Sequence, residues 1–168
     1  MTILHAQPYN IDARGFQFSS AEEFETKQEA LRDRFGAPVE EFEIQYLDGE
    51  DGQLFEACRI HQGDLTPWFD DIETLEDYEK AALFYLVDQA GYDLSDALSS
   101  VDDVSLYEGS LLDAATELFD EIYLPEVPEA VRNYIDYDAF ANDCRMGGDL
   151  CEFRFGGTTY TCTNASGV

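Results

Sequence analysis

The strongest constraint on how this chain can fold is its negative charge. Its 168 residues include 37 Asp and Glu but only 9 Lys and Arg, which gives a formal net charge of −28 at pH 7. Charges of one sign repel each other and destabilise a compact state. A folded form must therefore bury enough apolar surface to offset this repulsion, and it must keep its carboxylates in water.

The apolar residues are numerous enough to form a core. Hydrophobic side chains make up 45% of the sequence and include 12 Phe and 10 Tyr. Highly charged disordered chains lack such residues, so we predict a folded protein. Strand patterns lie towards both ends and helical patterns between them, which predicts an α+β protein. We expect two to three small packed units: an N-terminal α+β unit at 1–62, a mainly helical unit at 63–103 and a C-terminal α+β unit at 104–168.

A first acidic helix is predicted to begin after Ser20. Ser20 and Glu23 have the spacing of a capping box, and we expect the helix to run to about Arg34. At 100° per residue, its apolar side is formed by Phe24, Leu31 and Phe35. The carboxylates on the opposite side are Glu22, Glu25, Glu29 and Asp33.

A second acidic helix has the same design. Ser110 and Asp113 predict its cap, and we expect the helix to reach about Tyr123. Its apolar side is formed by Leu111, Ala115, Leu118 and Ile122. Its acidic side is formed by Asp113, Glu117, Asp120 and Glu121.

Four further segments complete the prediction. After a strand at 41–47, two Asp-Gly turn signals predict that residues 53–60 return as a partner strand. A loop around Trp68 then leads into an acidic run, and Thr74 is expected to cap the next helix. Residues 136–144 are predicted to be helical, and residues 150–163 form a final hairpin. Further carboxylates of interest in these segments are Asp70, Asp71, Glu73, Asp136 and Asp138.

Support for catalysis or metal binding is thin. The chain has two histidines and none of the common nucleotide-binding, hydrolase or metalloprotease motifs. A faint resemblance to a calcium loop begins at Asp48, but its twelfth position is Arg59 where a bidentate Glu is needed. The four cysteines lack short paired spacings. We therefore expect no enzyme activity, no cofactor and no metal.

The start of the sequence predicts a cytoplasmic protein. Its first residues lack the basic and apolar regions of a secretory leader, and no stretch approaches the ~20 apolar residues of a membrane helix. We expect Cys58, Cys144, Cys151 and Cys162 to be reduced and mostly packed. Because like charges repel, neither a nucleic acid nor an anionic membrane is an expected ligand, and the expected partner is a basic surface.

The acidic faces suggest a specific kind of partner. Double-stranded DNA carries one negative charge per ~1.7 Å of its axis, so 28 charges correspond to roughly 48 Å, or about 14 base pairs, of duplex. Ordinary solvated helix faces mix Lys with Glu, but this chain has only Lys27 and Lys80. Two explanations remain, namely mimicry of DNA phosphates and adaptation to high salt. The many Phe and Tyr residues favour mimicry.

Several stretches resemble the ArdA antirestriction family. They are residues 91–109, residues 125–144 and the step Gly148-Asp149, together with the acidic-aromatic segment at 41–48. The most recognisable part is the block Tyr134-Ile135-Asp136-Tyr137, followed by Ala141 and Asp143.

The resemblance implies a fold and a function. ArdA proteins are elongated α+β proteins of three units that form curved homodimers. Their carboxylates mimic the phosphates of bent B-form DNA and occupy the DNA-binding groove of type I restriction-modification enzymes. Phages, plasmids and transposons carry them. We therefore expect a homodimeric DNA mimic that acts in a bacterial host.

Two alternatives are open at this point. One is an inhibitor of another nucleic-acid-binding defence system, such as a CRISPR effector, whose channels are also positively charged. The other is a salt-adapted acidic protein without mimicry. The exposed aromatic residues expected near Tyr134, Tyr137 and Phe140 are candidates for a contact between two copies.

Overall fold

The computed structural model describes all residues from Met1 to Val168. It confirms the α+β class, with helices accompanying two separate three-stranded antiparallel sheets. The chain divides into two compact units, Met1–Glu76 and Asp77–Val168. The finer division into three units stays a prediction. No helix is both long and apolar enough to cross a membrane.

The first unit is built on a sheet with strand order β2-β1-β3. Its strands are β1 (Ile3–Pro8), β2 (Phe16–Phe18) and β3 (Phe42–Asp48). Its helices are α1 (Ala21–Ala30), α2 (Gly52–Cys58) and α3, which starts as an α-helix at Leu65–Pro67 and continues as a π-helix at Trp68–Ile72. A 3₁₀ turn, Gln62–Asp64, precedes α3.

Aromatic rings form the centre of the first unit. Phe24 projects from α1 onto Phe16, Phe18 and Phe42 of the sheet, and ring centroids within this group lie 5.0–6.1 Å apart. Such tilted and edge-on arrangements are those that aromatic quadrupoles favour. This group holds α1 against the sheet.

The first acidic helix is shorter than predicted. It ends at Ala30 because Leu31 adopts an extended conformation, with φ −71° and ψ 131°. The chain then turns back, so that Arg32 forms a β-bridge with Pro38 and the N–H of Asp33 donates to the carbonyl of Ala37. Phe35, predicted to join the apolar side of the helix, is instead 74% exposed.

The predicted partner strand at 53–60 is wrong, because this segment forms α2. Leu54, Phe55 and Cys58 are its buried residues, and their spacing of one and then three residues fits one side of a helix. The hydrogen-bonding partner of β3 is β1, in the antiparallel register of Leu4 with Tyr46.

The predicted loop around Trp68 is also wrong, because it is the middle of α3. Leu65, Trp68 and Ile72 are buried at helical spacing. Thr74 does not cap the next helix, which begins at Asp77. Its hydroxyl instead donates to the carbonyl oxygens of Asp70 and Asp71, at 3.2 and 2.8 Å.

The second unit contains a sheet with strand order β4-β6-β5. Its strands are β4 (Leu106–Glu108), β5 (Cys151–Phe155) and β6 (Thr158–Cys162). Its helices are α4 (Asp77–Phe84, continuing as a π-helix at Tyr85–Gln89), α5 (Leu94–Ser100), α6 (Leu111–Ile122) and α7 (Tyr137–Gly147). Its 3₁₀ turns are Val101–Asp103, Leu124–Glu126, Glu129–Tyr134 and Ala165–Gly167.

Two packed clusters support the second unit. The apolar stretch of α4 is buried from Ala81 to Leu86, so this helix lies at the centre of the unit. From this stretch, Phe84 stacks on Phe153 of β5, with ring centroids 6.1 Å apart. A second cluster is formed by Ala115, Ala141, Cys144 and Leu150 and joins α6 to α7.

Candidate interaction surface: the acidic helix faces

The local sequence of α6 explains why this helix forms where it was predicted. Ser110 Oγ accepts a hydrogen bond from the N–H of Asp113 at 3.1 Å, and the Asp113 carboxylate accepts one from the N–H of Ser110 at 3.2 Å. This reciprocal capping box satisfies two N–H groups at the helix start, and the carboxylate complements the positive end of the helix dipole. Ala114 and Ala115 are buried on the inner side.

The outer side of α6 carries four exposed carboxylates in one stripe. The second lies four residues after the first, and the third and fourth lie three and four residues after the second. Spacings of three and four place side chains on the same side of a helix, with Cβ atoms about 5–6 Å apart. No Lys or Arg lies within the helix. The members of this α6 acidic face are Asp113, Glu117, Asp120 and Glu121, all of them exposed.

The apolar side of α6 is narrower than predicted. Leu111 and Leu118 are only half-buried, and Ile122 is 53% exposed. Ile122 is the last residue of the helix, and Tyr123 after it is also 48% exposed, so the final turn lies outside the packed region.

Two members of the α6 acidic face also contribute to the fold. Asp113 forms the helix cap, and Asp120 accepts a hydrogen bond of 2.5 Å from the hydroxyl of Tyr137 in α7. This bond to Asp120 is the main cause of the raised pKa of Tyr137, since the hydroxyl must keep its proton to donate. Glu117 also interacts with Tyr107. Burial is the main cause of the raised pKa of Tyr107, and the charge of Glu117 adds to it.

The start of α7 adds two carboxylates. Asp136 caps the helix by accepting a hydrogen bond from the N–H of Ala139 at 2.9 Å, and Asp138 lies exposed in the first turn. Both carboxylates lie at the positive end of the helix dipole, which favours a negative charge there.

The acidic side of α1 is smaller than predicted. Glu22, Glu25 and Glu29 are exposed at helical spacing, and we call these three residues the α1 acidic face. Asp33 lies outside the helix and is half-buried. Its carboxylate accepts hydrogen bonds from the N–H groups of Phe35 and Ala37, at 2.8 and 2.9 Å, and these bonds lower its pKa.

The acidic run at residues 70–73 also contains both exposed and half-buried carboxylates. Asp70 and Asp71 are exposed on the π-helical part of α3. Glu73 is half-buried, and its carboxylate accepts a hydrogen bond of 2.7 Å from the N–H of Thr2. Glu73 therefore links the start of β1 to the end of α3 and is a structural residue.

The basic residues do little to neutralise these faces. Arg32 donates to the carbonyl oxygens of Glu29 and Leu31, at 2.7 and 2.8 Å, and Arg132 donates to the carbonyl of Val127 at 3.0 Å. Neither guanidinium forms an ion pair with a carboxylate of these faces. The main exception on α1 is Lys27, which pairs with Glu23 at 2.7 Å.

Other exposed carboxylates were not among those predicted for the site. Most of them belong to strand edges, 3₁₀ turns and connections, where no periodic pattern marks them in the sequence, and Glu56 lies on α2, which was predicted to be a strand. They include Glu40, Glu41, Glu43, Glu50, Glu56, Asp102, Asp103, Glu126 and Glu129.

The predicted carboxylates contribute negative surface on both units. No group of three or more His, Cys, Asp or Glu side chains is placed to hold a metal ion. The predicted carboxylates are distributed over both units. The first unit contains Glu22, Glu25, Glu29, Asp33, Asp70, Asp71 and Glu73, and the second contains Asp113, Glu117, Asp120, Glu121, Asp136 and Asp138.

Comparison with known proteins identifies the family. The family model of the ArdA antirestriction proteins matches residues 14–158, which include both acidic helices and most of the chain. No curated protein matches the sequence. The match includes much of the N-terminal half, where the sequence has fewer stretches that resemble the family. The chain belongs to the ArdA family of antirestriction proteins.

Proposed function

We propose that this antirestriction protein is a DNA mimic that occupies the DNA-binding groove of a type I restriction-modification enzyme. The observation that carries the proposal is the pair of acidic helix faces, on α1 and α6. Each presents exposed carboxylates at regular spacing and opposite a buried side, with little basic charge beside them. A folded helix holds such charges in a fixed arrangement, as a nucleic-acid backbone does.

The magnitude of the charge fits this role. A groove that binds DNA presents Lys and Arg to a phosphate backbone with one charge per ~1.7 Å of duplex axis. One chain with a net charge of −28 offers the charge of about 14 base pairs. We propose that the protein acts as a homodimer in the host cytoplasm, where two copies together would match about twice that length.

The expected mechanism is occupation of the groove without chemistry. Many carboxylates contact Lys and Arg side chains at once, so association is fast and falls with rising ionic strength. Because the contacts are distributed over many groups, the loss of one carboxylate has little effect. The ligand is the basic surface of the enzyme, and the inhibitor itself binds neither nucleic acid nor membrane.

The experiment that tests the proposal neutralises carboxylates of the two faces that neither cap a helix nor join α6 to α7. On α1 these are Glu22, Glu25 and Glu29, each changed to Gln. On α6 the residues to change are Glu117 and Glu121, since Asp113 caps the helix and Asp120 binds Tyr137. All five substitutions are combined in one variant.

A matched control removes the same number of charges elsewhere. Its five Glu→Gln changes are at exposed positions outside the two faces, namely Glu40, Glu41, Glu50, Glu126 and Glu129. Both variants have the same net charge, so a difference between them reports on where the charges lie and not on how many there are.

The readouts are cleavage and methylation of unmodified plasmid by a purified type I enzyme, with titrated inhibitor. We expect the face variant to need about 10- to 100-fold more protein for half-inhibition, and the control variant to need only a few-fold more. If the two variants lose inhibition equally, the effect depends on net charge alone. That result would contradict the proposed role of the two faces. If the type I enzyme is not inhibited by the unaltered protein, the proposed target is wrong.

A thermal melt across salt concentrations separates mimicry from simple salt adaptation. A salt-adapted protein needs high ionic strength to stay folded, since its repulsion is then screened. A mimic that works in an ordinary cytoplasm is folded at about 0.15 M salt, and its inhibition weakens as salt increases. Unfolding at that ionic strength would contradict the proposal.

A further inference from the structure

The C-terminal hairpin places two cysteines directly opposite each other. Cys151 is the first residue of β5 and Cys162 the last of β6, and the antiparallel register pairs these two residues. Both are free thiols. We propose that Cys151 and Cys162 are a site of reversible oxidation, at which a disulfide oxidant closes a bond across the two strands. This inference does not depend on the mechanism of antirestriction.

The strand geometry permits this bond. Directly opposed residues of an antiparallel pair have Cα atoms about 4.5–5.5 Å apart, and a disulfide needs about 4.4–6.8 Å. Opposed side chains also project from the same face of the sheet. The pKa of Cys151 is raised mainly by burial and secondly by Cys162, which places the two thiols within electrostatic reach.

The same geometry makes the bond reversible. Cβ atoms of opposed residues lie about 4.5–5.5 Å apart, whereas a disulfide draws them to about 3.5–4.5 Å. Closing this gap deforms the end of the hairpin. A strained disulfide is reduced more easily than a relaxed one, which is typical of regulatory and not of structural bonds.

The other two cysteines have no such partner. Cys58 ends α2 in the first unit, and burial raises its pKa to about 12. Cys144 is packed between α6 and α7 beside Ala115 and Leu150. Burial is the main cause of the raised pKa of Cys144, and the charges of Asp149 and Asp143 add to it.

Exposure sets the order of the reaction. Cys151 is half-buried and reachable, whereas Cys162 is fully buried, with its thiol against Asn164 and Tyr85. With oxidised glutathione, the Cys151 thiolate attacks one sulfur, and the first glutathione thiolate leaves. The Cys162 thiolate then attacks the Cys151 sulfur and releases the second glutathione. The two protein thiols give up two protons and two electrons in all, and one oxidised glutathione becomes two reduced ones.

Burial also predicts the speed of the reaction. It raises the pKa of both thiols, so only a small fraction is thiolate at neutral pH. The thiolate is the attacking species. Oxidation is therefore slow at neutral pH and accelerates up to about tenfold for each pH unit while the thiols remain mostly protonated.

The position of the pair connects it to the α6 acidic face. Glu152 follows Cys151, and its carboxylate accepts a hydrogen bond of 2.7 Å from the N–H of Leu111, the first residue of α6. The bond between the strands would therefore form beside the residue that holds the start of this helix.

The test treats the full chain, first reduced and freed of reductant, with excess oxidised glutathione. Peptide mapping by mass spectrometry without reduction is expected to show Cys151 linked to Cys162 within one chain, and excess reduced glutathione is expected to break the link. The double variant Cys58→Ser, Cys144→Ser should still form it. The variant Cys151→Ser should not, and its circular dichroism should match that of the unaltered protein.

Three results would overturn the inference. One is a folded chain that shows no linked peptide after prolonged oxidation at pH 8–9. Another is a mixed disulfide that stays on Cys151 and never passes to Cys162. The third is a link that involves Cys58, Cys144 or a second chain. Should Cys151→Ser fail to fold, Cys151→Ala replaces it, and the double variant alone still tests which pair reacts.

Discussion

The two acidic helices, α1 and α6, look alike in sequence and differ in the structure. Both begin with a Ser cap and carry carboxylates on one side. However, α1 has ten residues and one fully buried side chain, Phe24, whereas α6 has twelve residues, a reciprocal capping box and two buried alanines.

The difference shows that an acidic face can be held in place in two ways. On α1 the one buried side chain, Phe24, packs into the sheet, and polar contacts of Glu23 with Ser19 and of Lys27 with the carbonyl of Gln17 add to it. On α6 the fixation is distributed over the cap at Ser110, the packing of Ala115 against α7 and the bond between Asp120 and Tyr137. Loss of Phe24 should therefore affect α1 more than the loss of any one of these contacts affects α6.

We expect the largest effect on stability from removal of the Phe24 ring, which holds α1 against the sheet. Phe24→Ala removes a side chain that is 5% exposed and contacts three other rings. We expect the free energy of unfolding in urea to fall by about 3–5 kcal/mol. Phe35→Ala, at a ring that is 74% exposed, is the control and should change it by less than about 0.5 kcal/mol. Similar losses in the two variants would contradict the account of α1.

The next effect concerns the cap of α6. Ser110→Ala removes a hydroxyl that makes two hydrogen bonds with Asp113. The hydroxyl accepts one from the N–H of Asp113 and donates the other to its carboxylate. We expect a loss of about 1 kcal/mol in the free energy of unfolding. The matched change on α1 is Ser20→Ala, where the hydroxyl only accepts, from Glu23. If Ser20→Ala lowers the free energy of unfolding clearly more than Ser110→Ala does, the proposed difference between the two helix caps is wrong.

We expect the stability that Asp33 contributes to the fold to depend on pH. This residue lies beyond the end of α1. Hydrogen bonds from Ala37 and Phe35 lower the pKa of Asp33 below its ordinary value of 3.8. A lowered folded-state pKa stabilises the fold above the ordinary pKa, and this contribution is lost as the pH falls through the folded value. The unaltered protein should therefore exceed Asp33→Asn in melting temperature at pH 6.

The same pair of proteins should converge in melting temperature as the pH falls below about 3.8. Glu25→Gln, at a carboxylate exposed on α1, is measured alongside as a variant that loses one charge without losing these hydrogen bonds. A constant difference between the unaltered protein and Asp33→Asn from pH 6 to pH 3 would exclude the proposed hydrogen-bond effect.

The smallest effect should come from the acidic faces themselves. Glu117 and Glu121 are four residues apart on α6, and like charges at this spacing destabilise a helix by about 0.2–0.5 kcal/mol. Glu121→Gln should therefore leave the free energy of unfolding unchanged or raise it by up to about 0.5 kcal/mol. A loss of more than about 1 kcal/mol would show that Glu121 has a structural role.

Much of the fold could be predicted because it depends on local signals. The capping box at Ser110, the apolar run in α4 and the Gly156-Gly157 turn of the last hairpin each specify their own segment. The family could be identified from the block at residues 134–137 and the residues around it, since these motifs extend beyond any single element.

The errors arose where a strong local signal concealed a longer pattern. The Asp51-Gly52 step suggests a hairpin turn, but the helical spacing of Leu54, Phe55 and Cys58 was already present in the sequence. The predicted loop around Trp68 contains Pro67, but proline is tolerated in the first turn of a helix, where α3 places it. These cases could have been resolved from the spacing of apolar residues.

The roles of single carboxylates could not be predicted, because they depend on distant parts of the chain. Glu73 binds the N–H of Thr2, and Asp120 binds Tyr137, and both contacts join different elements. No periodicity in a sequence reveals that a carboxylate has a distant donor. The set predicted for the interaction surface therefore mixed surface charges with structural ones.

The strand order of the second unit has a consequence for synthesis on the ribosome. β6 lies between β4 and β5 although it is the last of the three along the chain, so this sheet cannot close before residue 162 has been made. The sheet of the first unit needs no residue beyond Asp48. Since domains generally fold as units during synthesis, N-terminal first, the first unit can fold while the second is still being translated. The sheet beside α6 is thus completed late, and an incomplete chain presents the α1 acidic face first.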